Sequence, residues 1–280
     1  MSRKIQFSRG SRPVRASAGI VVALLLASNF GCVTTHTLPS SGDSENRVSE
    51  SVAKRDLGID YLSSRRTAMA IRELRAALKL DSSDPSTHLW LGEAYRRKGK
   101  TEQAESFLLE SIALSESDEF LATRHAALLN LSALLSQLGR YEESLEHCEA
   151  LAEDPTFSTP WRPLTNCGWS LLQLGRLQEA SDHFEDALDF FPRFGPALLN
   201  LGILRAKQGK TLSAITILER ALNSGRLSSS ALGEAHFRLG EIYVSLGRRE
   251  DAVAHFREAT DKAPFEDWGS QSQAYLDLLH

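Results

Sequence analysis

Along the chain, apolar and polar positions fall into three regimes. Residues 18–27 (AGIVVALLLA) are an unbroken apolar run, residues 33–50 (VTTHTLPSSGDSENRVSE) carry no apolar period, and from residue 51 onward one pattern of small and bulky residues keeps returning. The pairs Leu57-Gly58, Leu91-Gly92, Leu131-Ser132, Cys167-Gly168, Leu201-Gly202 and Leu239-Gly240 stand 34, 40, 36, 34 and 38 residues apart. In the last five, a glycine follows seven residues after the small residue (Gly99, Gly139, Gly175, Gly209, Gly247), and five residues beyond it comes Ala104, Ser144, Ala180, Ala214 or Ala252. A bulky apolar residue and usually a small one follow four and seven positions later, as in Phe184 with Ala187 and Phe256 with Ala259.

This spacing predicts pairs of antiparallel helices. Two helices approach closely only where Gly or Ala removes side-chain bulk, and large residues such as Tyr95, Leu108, Phe184 and Tyr243 then fill the space between neighbouring pairs. The mid-unit glycine suits a helix end that turns through a left-handed backbone conformation. Six units are expected, at about 51–84, 85–118, 125–158, 161–194, 195–228 and 233–266, with extra residues near 118–124, 158–160 and 225–232 lengthening turns as variable loops. Beyond them, 267–280 carries Ala274, Tyr275, Leu278 and Leu279 at helical spacing and is expected to be a capping helix over the last apolar face.

The repeated residues resemble the tetratricopeptide repeat (TPR), a 34-residue unit with a Leu-Gly pair, a later aromatic, an Ala, a Phe or Tyr, another Ala and a closing Pro. The fourth unit shows Gly168, Ala180, Phe184, Ala187 and Pro192, and the sixth Gly240, Tyr243, Ala252, Phe256, Ala259 and Pro264. The resemblance implies an all-α fold, a right-handed α-solenoid of six TPR helix pairs with a C-terminal capping helix, whose inner wall binds a polypeptide.

The first fifty residues read as an address and a tether. A basic segment, an apolar run about half the roughly 20 residues of a spanning helix, and a small residue before a cysteine lay out a signal peptide over 1–31. A retained membrane helix is the weaker alternative. Gly31-Cys32 resembles the signal of bacterial lipoproteins, in which the cysteine is diacylated and becomes the new N-terminus. That resemblance implies a covalent lipid on Cys32, and Val33 beside it implies sorting to the outer membrane, facing the periplasm; an ordinary signal peptide with an incidental Cys32 is the other reading. Acyl chains at about 0.8 kcal/mol per buried methylene hold a protein on a bilayer without a spanning segment. Residues 32–50 are expected to be the lipidated N-terminus and a flexible linker, a coil reaching roughly 25 Å.

Charge narrows the partners. The net charge is −4, but residues 1–31 hold five basic groups and no acidic ones, leaving 27 basic against 36 acidic groups in the rest. An acidic body without a clustered basic stripe lacks the counterion-release driving force for nucleic acid, so no nucleic-acid partner is expected. The eight histidines form no His-Glu-x-x-His or Cys/His zinc spacing, and His147, His183 and His255 share a half-exposed packing position in successive second helices. No metal, catalytic residue, cofactor other than the Cys32 lipid, or small-molecule substrate is expected. Cys148 and Cys167 lie at packing positions of adjacent helices; buried free thiols are the preferred reading, with pairing in an oxidising periplasm as the alternative.

The remaining surface is the concave wall made by the first helix of each unit. Its expected partner-binding groove is an apolar stripe of Leu129, Trp169, Leu172, Leu199, Ile203 and Phe237, with Glu93 and Arg96 making a polar end in unit two. The clamp that captures acidic chaperone tails is not expected, because the Lys and second Asn that accompany Asn130, Asn166 and Asn200 in that clamp are missing. A lipoprotein signal, a short linker and six TPR units look like the pilotin lipoproteins of type IV pilus systems. This implies a protein partner, secretin subunits or another envelope protein, and membrane attachment through the lipid.

Overall fold

The computed structural model describes residues 41–279. The signal segment 1–31, Cys32 and the first part of the predicted linker lie outside the described residues. Thirteen α-helices and one short 3-10 turn make up the described chain: α1 (Ser41–Ser63), α2 (Thr67–Leu80), α3 (Pro85–Arg97), α4 (Thr101–Leu114), the turn Asp118–Phe120, α5 (Leu121–Gln137), α6 (Tyr141–Ala152), α7 (Trp161–Gln173), α8 (Leu177–Phe190), α9 (Gly195–Lys207), α10 (Thr211–Leu222), α11 (Ser229–Ser245), α12 (Arg249–Lys262) and α13 (Asp267–Leu279). Consecutive helices pair as α1/α2 through α11/α12, giving six hairpins stacked into an α-solenoid, with α13 packed on α12 and α11. None of these helices is long and apolar enough to cross a membrane.

Close approach within a hairpin is enforced sterically. A Cβ at Gly168 would lie 2.6 Å from the Phe184 ring, and one at Gly240 would lie 2.5 Å from Phe256. The glycine and the large residue sixteen positions later are therefore one packing device. Unit three departs from it: Ser132 stands at the glycine position and Cys148 at the large one.

That departure coincides with a division of the core. One buried apolar cluster runs from Leu62 to Leu135 and another from Leu145 to Leu276. Between them lie three buried hydroxyls, from Ser136, Ser144 and Ser170. Ser136 and Ser170 are 2.7 Å apart, Ser170 donates to Ser144 at 3.0 Å, and Ser144 donates to the Ser132 carbonyl at 2.8 Å. A relay ending on a carbonyl satisfies each hydroxyl, which is what makes a polar seam tolerable inside a solenoid.

Beside this seam, within the second cluster, Cys148 and Cys167 form a disulfide that ties α6 to α7 with a Cα–Cα distance of 5.7 Å. The expectation of free thiols is corrected here. Ser132 and Cys148 stand where unit four has Gly and Phe, and Cys148 bonds instead to Cys167 of the next unit.

The predicted linker is also too long. α1 begins at Ser41, ten residues before the expected start of structure, and residues 45–50 are exposed on it. The packed part begins at Ser51, whose buried hydroxyl donates to the Ala77 carbonyl at 3.0 Å. Once that turn is nucleated, propagation backwards costs little per residue, so a stretch without apolar period still joins the helix. Likewise α5 and α11 each start about one turn before the expected unit, using residues read as loop. At α11 the Ser228 hydroxyl accepts from the Ala231 amide at 3.2 Å and caps the added turn.

Candidate partner-binding groove

Curvature decides which wall is the inner one. The first helices touch their counterparts in the next unit (α3 with α5, α5 with α7, α7 with α9, α9 with α11), whereas the second helices α4, α6, α8 and α10 make no comparable contact with one another. The first helices therefore crowd along the concave side.

The exposed stripe on this wall differs from the expected one. Leu129, Leu172, Leu199 and Phe237 are only 5%, 1%, 4% and 2% exposed, and all except Leu129 belong to the second apolar cluster. Those four are a correction: they pack the units together and offer a partner almost nothing. Phe237 in particular stacks into the aromatic end of the solenoid, 5.5 Å from Trp268 between ring centroids. Trp169 and Ile203 are half-buried, rest on the core and keep a face outward.

The exposed stripe lies about one residue round each helix, at positions spaced four, three and four apart. It reads Ala126, Asn130, Ala133 on α5; Arg162, Asn166, Trp169, Gln173 on α7; Pro196, Asn200, Ile203, Lys207 on α9; and Glu234, Arg238, Glu241, Ser245 on α11, all half-buried or exposed. Asn130 and Asn166 were visible in the sequence at a common repeat position, and carrying that register forward would have found Arg162, four residues before Asn166.

Three hollows open along the stripe. A pocket of about 250 Å³ is framed by Leu121, Ala122, Ala126, Phe157 and Arg162. One of about 210 Å³ lies among Asn130, Ala133, Arg162, Asn166, Phe194 and Pro196. The third, about 480 Å³, sits between Ile203, Ala206, Lys207, Arg238 and Glu241.

Charge is sorted by wall. α5, α7 and α9 carry Arg124, Arg162, Arg205 and Lys207 and no acidic residue. α4, α6 and α8 on the outer wall carry three, four and five acidic residues and no Lys or Arg. The acidity of the body is thus concentrated outside, and Arg205 reaches out to pair with Glu185 there.

Elsewhere the charges are already engaged. Glu93 is bonded to both Arg96, at 2.8 Å, and Arg97, at 2.6 Å. Burial pushes the Glu93 carboxyl up, but the hydrogen bonds and charges of the two arginines hold it below the usual range. The expected polar end of the groove is therefore a neutralised clamp. Beside the first pocket, His125 Nε2 meets Asp154 at 2.9 Å. The Thr156 hydroxyl and backbone amide, then His125, hold Asp154 down at about 2. His236 and His255, on α11 and α12, share a 3.0 Å contact between their Nδ1 atoms. Burial and the charge of His255 lower His236 to about 4. His147 and His183 are half-buried on α6 and α8. Among the described residues no three His, Cys, Asp or Glu side chains gather into a group that could hold a metal.

Profiles of the tetratricopeptide repeat match residues 55–119, 126–153, 161–186 and 195–264, together more than half the chain. No curated protein matches the chain in sequence. Among solved structures, the chain is similar to PilW, described as a widely conserved type IV pilus biogenesis factor, with a TM-score of 0.66 at 19% identity over 80% of this chain and 98% of that one. It is similar to PilF of Pseudomonas aeruginosa, with a TM-score of 0.62 at 21% identity over 82% and 99%. The Cut9-Hcn1 assembly of the APC/C gives a TM-score of 0.68 at 20% identity over 84% of this chain and 44% of that chain. At these identities the likeness is one of fold.

Proposed function

The chain belongs to the tetratricopeptide-repeat proteins, and from that premise we propose that it is a non-enzymatic scaffold held on the outer membrane by a lipid on Cys32, acting as a pilotin for type IV pilus secretin. The observation that carries the binding reading is the inner wall: a stripe of outward-facing Asn, Arg, Trp and Ile side chains over pockets of peptide side-chain size. The layout of signal, tether and six units supports the pilotin role, as does a likeness that spans nearly the whole of PilW, a type IV pilus biogenesis factor. The Cys148–Cys167 disulfide is in keeping with export to an oxidising compartment.

In this reading the lipid places the solenoid at the inner leaflet, and the groove around Trp169 and Ile203 shields an apolar segment of a secretin monomer until the ring assembles. The test is a deletion strain complemented with the wild-type chain, Cys32→Ala, or Trp169→Ala with Ile203→Asp. Loss of secretin multimers in the deletion, mislocalisation with Cys32→Ala and failed rescue by the groove variant are the expected results. Normal multimers together with a cell-shape defect would instead point to a scaffold that recruits envelope or peptidoglycan enzymes.

A further inference from the structure

We propose that Arg162 makes the inner wall select its partner by a carboxylate, so that the bound segment is a polypeptide with an Asp or Glu flanked by apolar residues. The proposal rests on the groove reading above and adds to it the chemistry of the occupant. Arg162 stands near the start of α7, is exposed, and borders both smaller pockets, one on either side of it. Among the described residues its guanidinium makes no ion pair or side-chain hydrogen bond. This contrasts with Arg96, Arg97, Arg140, Arg176, Arg205, Arg238 and Arg248, each of which is paired with a carboxylate of this chain.

The nearby acid does not quench it. Asp154 stays ionised but is hydrogen-bonded to His125 and Thr156 and makes no ion pair with Arg162, and α5, α7 and α9 themselves carry no acid. The flanking hollows are apolar at their walls, with Leu121, Ala122 and Phe157 on one side and Ala133, Phe194 and Pro196 on the other. Asn130 and Asn166 line the second hollow. The Asn166 amide nitrogen donates to Ser132 at 3.0 Å, which fixes the side chain and leaves its oxygen for a peptide N–H. A planar guanidinium between two apolar hollows suits one carboxylate with an apolar side chain before and after it, because the guanidinium binds carboxylate in a two-point fork. A basic segment would meet only like charge along α5, α7 and α9.

The test is to pan a displayed library of random peptides against the purified full chain, then measure the enriched peptides by fluorescence polarisation. Enriched sequences should carry Asp or Glu between apolar residues, and Glu→Lys in the peptide or Arg162→Glu in the protein should each weaken binding by about tenfold or more. Combining the two changes should recover part of the loss. Arg162 is on the surface, so unchanged helix content by circular dichroism separates a binding defect from misfolding.

Enriched peptides without acid, or ones indifferent to Arg162→Glu, overturn the carboxylate proposal. If those same peptides are weakened by Ile203→Asp, the groove reading survives without it. Peptides indifferent to both variants would sink both. Arg162-dependent binding to phosphatidylglycerol vesicles with no peptide enriched would assign the cation to a lipid surface and likewise overturn the proposal.

Discussion

The apolar clusters on either side of the α5/α6 junction are made by the same repeat and yet are built differently. The first is built mainly of Leu and Ala and ends in α1, whose residues 45–50 are exposed. The second places aromatic rings at matching positions: Phe256 stacks on Tyr275 with centroids 4.6 Å apart, and α13 covers what would otherwise be a bare end. Because each unit of a solenoid contacts only its neighbours, stability is a sum of local terms, and these two halves meet inside unit three, between α5 and α6. The hydroxyl relay lies at that junction, and the disulfide stands next to it on the side of the second cluster. The comparison shows that the repeat fixes the hairpins while the joints set how far cooperativity travels.

The largest effect should come from deleting a ring in the second half. Phe256 is fully buried and fills the space that Gly240 leaves open. Phe256→Ala should cost about 3–5 kcal/mol, through lost transfer energy and the cavity left behind. Hydrogen exchange should show the loss over α9–α13, with α1–α4 protected as before. Equal deprotection along the whole chain would mean that the junction transmits more than nearest-neighbour contact.

Next comes the joint itself. The disulfide closes a loop with a sequence separation of 19 residues. A loop of that length constrains the unfolded chain by about 3 kcal/mol. Cys148→Ser with Cys167→Ser should therefore lower stability by about that amount, with the loss of amide protection centred on α6 and α7. A single transition at the original midpoint would show that the bond adds nothing to the serine relay.

How much of this was legible follows from where the physics is repetitive. Five of the six hairpins are written in Gly58, Gly92, Gly168, Gly202 and Gly240 and in the bulky residues opposite them, because close packing demands the same small and large residues each time, and the capping helix is written in the spacing of Ala274, Tyr275, Leu278 and Leu279. The groove was misread because the first helices are apolar on two faces. Leu172 and Leu199 serve the neighbouring unit, and the period alone does not say which face a neighbour covers. Trp169 and Ile203 border both faces and so stay partly exposed. The pairing of Cys148 with Cys167 had a signal, in that unit three alone opposes two small residues where the others oppose Gly with Leu or Phe. The early start of α1 had none, since exposed polar turns carry no pattern.

A smaller and selective effect is expected from acid. His236 has an ordinary value of 6.5 and is lowered to about 4 in the folded chain, by burial first and then by His255, with Lys262 adding to the shift and Glu258 opposing it. His255 is lowered as well, chiefly by burial, against the pull of Glu219, Asp251 and Glu258. A folded-state value below the unfolded one means that the unfolded chain takes up the proton first. The contribution of this pair is complete above pH 6.5 and is lost as pH falls towards about 4. Stability of the second half should decline in that window, and His236→Gln should flatten the decline. An unchanged slope in the variant would place the titrating group elsewhere.

The smallest expected effect belongs to the first half and runs in the opposite direction. In units two to six the turn between paired helices passes through a glycine with positive φ, such as Gly99 at 70°, whereas unit one has Arg65 at 59°. The hydrogen bonding is the same in both, with Arg66 donating to the Tyr61 carbonyl at 2.8 Å as Lys100 does to Tyr95 at 2.9 Å. The left-handed conformation costs a side-chain-bearing residue about 1–2 kcal/mol. Glycine relieves that cost but brings greater freedom to the unfolded chain, which returns about 0.5–1 kcal/mol. Arg65→Gly should therefore stabilise α1 and α2 by about 0.5 kcal/mol, read as slower amide exchange confined to these two helices. Slower exchange beyond α5 would show the first half stabilising the second across the seam, and the two clusters would then have to be treated as one cooperative body.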